Sequence, residues 1–175
     1  MSRITIPEVA AAPEGSQAAL GAINAKLGRV PNFFRVLSNS PAVITAHAGL
    51  NQGLGKALDL KTRERIALAV AAVNGCEYCD AAHTFTGHNF AKLSKEEIDL
   101  ARRGTSADPH AAAAVQFARK VAEARGKVAS EDIAALRTAG FGDGQIVEIV
   151  AVVAENFFTN LINNVAATPV DFPAI

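Results

Sequence analysis

The stretch LKTRERIALAVAAVNGCEYCDAAHTFTGH (residues 60–88) decides how this chain folds and where its chemistry lies. Asp59 or Thr62 can cap a helix that runs through the apolar middle, and Asn74-Gly75 suits the left-handed backbone that ends one. A second helix can then begin at or beside Cys76. The junction holds both cysteines of the chain, Cys76 and Cys79, with His83 and His88 beyond them. At about 100° per residue Cys76, Cys79 and His83 fall within roughly 60° of arc, whereas His88 lies about 120° from Cys76. The first three share a face. Both sulfurs belong to a first helical turn, where free backbone N–H groups and the positive dipole end favour a thiolate. Redox centre, metal site and plain packing all remain open on this spacing.

Glu64 is the second unusual residue of the stretch. It shares a helix face with Leu60, Ala67, Leu68 and Ala71, while Arg63 and Arg65 point elsewhere. A carboxylate in an apolar stripe is either paired or has a raised pKa, and a carboxyl near neutrality suits a proton relay. An exposed, Arg-paired glutamate at a helix start is the alternative.

Outward from this stretch the pattern stays helical. Residues 1–13, with Pro7 and Pro13, read as an extended arm. Leu20, Ile23 and Leu27 mark a short amphipathic helix stopped by Gly28. Helices restart at Pro31 and Pro41, the latter with Ser40 as N-cap. Ser94 with Glu97 forms a capping-box pattern, and another helix starts in similar style from Ser130. Asp108-Pro109 opens a helix stopped by Gly126. The last helix is the longest, and residues 168–175 form a Pro-broken tail. No segment alternates like a strand, so the expected fold is all-α, in a single domain spanning residues 1–175.

Composition narrows the function classes. Half of the 175 residues are hydrophobic, enough for one substantial core. Seventeen basic and seventeen acidic side chains cancel, so no global field draws the chain to nucleic acid or an anionic membrane. The N-terminus lacks a secretory h-region, and a cytoplasmic protein is expected. There a two-cysteine staple is uncommon. The tract IVEIVAVVAENFFTNLI is interrupted by Glu148, Glu155 and Asn156, which would be costly in lipid, so it reads as a buried helix rather than a span. Its apolar circumference needs cover on nearly every side, which suggests a subunit interface along residues 146–165; a central core helix is the alternative.

The combination of Glu64, the step of twelve residues to Cys76, the Cys-x-Tyr-Cys of Cys76, Tyr78 and Cys79, and His83 resembles the site of AhpD-like alkylhydroperoxidases, within the carboxymuconolactone decarboxylase superfamily. LGRVPNFFRVLSNSP, LKTRERIALAV and NNVAATPVDFP are similar to its peroxidase-related branch, so the resemblance spans nearly the whole chain. It implies an all-helical AhpD-like bundle assembled as a homo-oligomer (dimer, trimer or hexamer). It also implies a thiol-dependent peroxidase, in which Cys79 attacks a hydroperoxide, Cys76 closes the disulfide, and Glu64 and His83 relay protons. A lipoyl or thioredoxin-like dithiol donor is implied as reductant, and no bound cofactor. Tyr78 departs from the pattern, because the characterised alkylhydroperoxidase has a second relay histidine between its cysteines.

Other readings compete with this one. Lactone decarboxylation calls for acid/base groups and an anion pocket rather than a dithiol. A helical oligomer binding zinc or another metal through Cys76, Cys79 and His83, with Glu64 as a fourth ligand, is the alternative, although no second Cys/His pair is present. His47 reads as a satisfied core or interface histidine and His110 as a solvated one. Asn156, Asn160, Asn163 and Asn164 recur near helical spacing and read as hydrogen-bonding groups across a subunit interface, with the lining of a pocket as the alternative.

Overall fold

The computed structural model describes residues 2–173 and residue 175, and among these there are nine α-helices and no strand. They are α1 (Glu14–Leu27), α2 (Asn32–Leu37), α3 (Pro41–Leu54), α4 (Leu60–Asn74), α5 (Glu77–Asn89), α6 (Lys95–Arg102), α7 (Pro109–Ala124), α8 (Ser130–Thr138) and α9 (Asp143–Ala166). The all-α expectation holds. The N-terminal arm is extended apart from one 3-10 turn, Val9–Ala11.

The helix boundaries follow local chemistry. Asp59, not Thr62, caps α4 by accepting from the Thr62 N–H at 3.1 Å. Ser40 caps α3, with Pro41 in the first turn, where its missing N–H costs nothing. Gly75, at φ 60°, ends α4 in the left-handed region, and α5 starts from Cys76. Two caps differ from expectation. Ser94 accepts from the Glu97 N–H, but the Glu97 carboxylate turns inward to Arg65 instead of back to the cap, since a buried guanidinium is the stronger partner. At α8 the cap is Ala129, whose N–H is held by Asp132.

α4 is the central helix and packs against α5, α6, α7 and α9. Its face carrying Ile66 and Val70 joins Phe117 and Val121 of α7, Leu136 of α8, and Ile149 and Val152 of α9 in the main core. Full burial of each such side chain contributes about 1.5–3 kcal/mol. A second cluster joins Leu20, Phe33, Leu37 and Ile44 to Ala71, Cys76, Tyr78 and Cys79, so the cysteines sit where α1–α3 meet the junction of α4 and α5.

α9 is long and apolar enough by length and composition to cross a membrane. In the fold it lies on α4, α7, α3 and α5, with Ile146, Ile149, Val152, Val153 and Asn156 inward. It is not a fully enclosed core helix: Val147, Val150, Leu161 and Val165 are exposed along its outer side.

Candidate active site

Cys76 and Cys79 are joined in a disulfide, their Cα atoms 5.3 Å apart, and both are buried. The left-handed turn at Gly75 places Cys76 at the N-cap of α5, and Cys79 comes one turn later at its third position. The Cys79 N–H donates to Cys76 Sγ at 3.2 Å, so one sulfur serves as the capping acceptor of the helix. One of the free N–H groups expected at this helix start is therefore aimed at sulfur.

Glu64 enters from α4 and His83 from α5. His83 Nδ1 lies 2.9 Å from Glu64 Oε2, and Thr86 donates its hydroxyl to the same oxygen at 2.6 Å. The carboxylate is therefore paired in the interior, and the exposed Arg-paired alternative does not apply. The two helices run side by side at Gly87, where a Cβ would meet Leu93 Cδ1 at 3.4 Å and Glu64 Cβ at 3.9 Å, both ordinary contact distances. Burial by itself lowers the His83 pKa, but the charge and hydrogen bond of Glu64, with Glu155 and Asp80 adding to them, carry it above the ordinary histidine value. A carboxylate bound at Nδ1 fixes the ring so that Nε2 carries the exchangeable proton. The side chain is 27 % exposed, which leaves that proton a route to solvent.

Tyr78, standing between the cysteines, has its own partners. Its hydroxyl donates to Asp171 Oδ1 at 2.8 Å and accepts from the Phe33 N–H at 3.1 Å. Burial, with the neighbouring Asp171 charge, pushes its pKa far up, so the phenol stays neutral. Asp171 also accepts from the Asn32 N–H and from Arg29, both at 3.0 Å, and Phe172 packs on Tyr78 and Phe85. Where a relay histidine was missing from the sequence pattern, the structure has a clasp holding the C-terminal tail on α2 and α5.

Asn163 of α9 is a contact that residue spacing did not assign. Its Nδ2 lies 3.4 Å from Cys79 Sγ. Three of the four asparagines correct an expectation: Asn156, Asn160 and Asn163 are buried within the chain rather than placed at an interface, whereas Asn164 is exposed. Asn160 accepts from Asn74 Nδ2 at 2.9 Å, and Asn164 donates to the Asn74 carbonyl. Asn160 and Asn164 meet the end of α4, where the helix terminus leaves polar groups needing partners, while Asn156 bonds the Val152 carbonyl of its own helix. Thr86 was missed as well, although its place three residues after His83 puts it on the relay face.

The remaining histidines stand apart. His88 Nδ1 lies 3.2 Å from the Leu93 carbonyl at the turn into α6. His47 is buried among Phe33, Phe34 and Phe158, and burial lowers its pKa. His110, expected in solvent, is exposed but stacks on Phe141 with ring centroids 4.2 Å apart. Among the described residues no group of three or more His, Cys, Asp or Glu side chains is placed to hold a metal ion.

The all-helical bundle has the AhpD-like fold, with a buried Cys-x-x-Cys at a helix start and a Glu–His pair beside it. Residues 41–124 match the carboxymuconolactone decarboxylase family. Over that stretch, just under half of its length, the chain is similar to that family. It is similar to the structure of an alkylhydroperoxidase AhpD core, an uncharacterised peroxidase-related protein from Ralstonia eutropha JMP134. Identity is 29 % over 97 % of this chain and 92 % of that one, with a TM-score of 0.87. A peroxidase-related protein from Silicibacter sp. TM1040 shares the fold at 22 % identity, over 95 % of this chain and 89 % of that one, with a TM-score of 0.81. So does the debrominase Bmp8, at 20 % identity over 97 % and 92 % of the two chains, with a TM-score of 0.81. No curated protein sequence matches the chain.

Proposed function

We propose that the protein is an alkylhydroperoxidase-like enzyme that reduces hydroperoxides through a dithiol–disulfide cycle of Cys76 and Cys79. The observation that carries this reading is the buried Glu64–His83 pair at 2.9 Å, one helical turn along α5 from a cysteine pair already within disulfide reach. The peroxidase-related relative from Ralstonia eutropha supports it.

In the reduced protein the Cys79 thiolate attacks the distal oxygen of the peroxide. The S–O bond forms as the O–O bond breaks, two electrons pass from sulfur to the peroxide, and the departing alkoxide takes a proton from His83 Nε2. Glu64 stabilises the imidazolium before the transfer and holds the ring afterwards, while solvent returns the proton. The Cys76 thiol then attacks the Cys79 sulfenic sulfur: the S–S bond forms, the S–O bond breaks and water leaves. A dithiol donor, of the lipoyl or thioredoxin-like class, closes the cycle by exchange. Burial of both sulfurs favours a small hydroperoxide. The exposed stripe of Val147, Val150, Leu161 and Val165 is assigned to a second copy of the chain.

The test is mass spectrometry of the reduced Cys76→Ser and Cys79→Ser proteins after one equivalent of peroxide. The expected result is a trappable sulfenic acid on Cys79 in the first and no oxidation in the second. Sulfenic acid on Cys76 alone would reverse the order of attack. No oxidation in either variant, and no disulfide in the parent, would end the peroxidase reading.

A further inference from the structure

We infer that Asn163 is a catalytic residue of this site: its side-chain amide donates to the Cys79 thiolate, and its vacant carbonyl oxygen receives the hydroxyl of the sulfenic acid that follows. The inference rests on Cys79 being the peroxide-reactive sulfur, as proposed above.

Two independent observations carry it. Asn163 Nδ2 reaches Cys79 Sγ at 3.4 Å from α9, 84 residues away in sequence, and among the described residues no other side chain hydrogen-bonds to that sulfur. Asn163 is 3 % exposed, yet its Oδ1 has no hydrogen-bond partner. A buried amide that spends one donor on the Thr159 carbonyl, the other on a disulfide sulfur and its acceptor on nothing is poorly matched to the oxidised state. It is matched to the states the disulfide comes from. A thiolate is a charged acceptor, for which the Nδ2–H contact becomes a charge-assisted bond. A sulfenic acid adds one O–H donor at that same sulfur, and the free Oδ1 is the acceptor beside it.

The arrangement explains why an asparagine rather than an apolar residue is buried here. Leu or Val would fill the space without an unpaired oxygen, at lower cost to the oxidised protein. Asn163 instead offers a donor and an acceptor to one atom whose needs change during turnover. The charged and titratable groups around the pair are Glu77, Asp80 and His83 on α5, Glu64 on α4, Glu155 on α9, and Tyr78 with Asp171 of the tail. Asp80 is paired with Arg102 and Asp171 with Arg29, and the Asn163 amide is the side-chain donor in contact with the sulfur itself.

The experiment measures iodoacetamide alkylation of Cys79 against pH in the reduced Cys76→Ser protein, alone and combined with N163A, N163D or N164A. A hydrogen bond to a charged group shifts an equilibrium by roughly tenfold or more, so N163A is expected to raise the Cys79 inflection by about one pH unit. N163D keeps the shape but replaces the donor with a carboxylate, and raises the inflection further. N164A alters the same helix outside the sulfur contact and leaves it in place. Oxidation by hydrogen peroxide at pH 7 should fall about tenfold in N163A, following the loss of thiolate. A Cys79 inflection unchanged in both N163A and N163D, each shown to be folded by circular dichroism, overturns the inference. So does an equal rise in N164A. Disulfide formation in the otherwise unaltered protein is read separately: an Asn163-dependent inflection without peroxide-driven disulfide formation would retain the Asn163–thiolate bond while removing the peroxidase reading.

Discussion

Replacing Glu64 by Gln should move the alkaline limb of peroxide reduction without unfolding the protein. Glutamine keeps the length of the side chain and one acceptor oxygen, but loses the charge that His83 faces across 2.9 Å. A hydrogen bond to a charged group contributes about 1.5–3 kcal/mol, and the imidazolium loses a contribution of that order. Burial, which acts in the opposite direction on His83, remains in the variant. The His83 pKa should therefore drop, and the pH above which the alkoxide finds no protonated imidazole falls with it. Single-turnover disulfide formation with tert-butyl hydroperoxide, followed from pH 5 to 9, should show little loss at the acidic end and a loss of about tenfold or more near pH 8. Stability has the same sign. A histidine whose folded pKa is raised contributes fully below its unfolded value, and that contribution is lost as pH rises through the folded value. The stability gap between the parent and E64Q should be widest in mildly acidic solution and narrow with increasing pH. An equal loss of rate at every pH, or an alkaline limb that stays in place, would refute the relay.

Three further outcomes test other parts of the structure. Asp171→Asn weakens the clasp to Arg29, Asn32 and Tyr78 and should cost about 1–3 kcal/mol in urea unfolding, with Tyr78→Phe costing about 1 kcal/mol; unchanged midpoints in both would mean that the tail contributes no stability. Sedimentation equilibrium at micromolar concentration should show a species larger than the 18.2 kDa chain, and Leu161→Glu should shift it toward monomer; a stable monomer in the parent would remove the interface assigned to α9. Arg65→Met leaves the buried Glu97 carboxylate without its guanidinium and should destabilise by about 3–5 kcal/mol; the double variant Arg65→Met/Glu97→Leu should recover much of that loss.

The sequence by itself determined the helices and half of the site. Asp59, Ser40, Asn74-Gly75 and Asp108-Pro109 are local signals, each acting within one turn, and the chain obeys them. Cys76, Cys79 and His83 share a face because 100° per residue requires it, and Glu64 stood out as a carboxylate among apolar neighbours on its own helix. Only the tertiary structure decided which groups meet across helices. The pairing of Glu64 with His83 depends on how α4 packs on α5, and the turn of Glu97 toward Arg65 depends on where α6 lands. The asparagines of α9 could have faced a subunit interface or the interior, since helical periodicity defines a stripe but not the surface that covers it. Packing α9 against α4 and α5 put Asn156, Asn160 and Asn163 inside, and so brought Asn163 to Cys79. Tyr78 looked like a gap in a catalytic pattern, and its partner Asp171 lies 93 residues away, a contact that no local rule could anticipate.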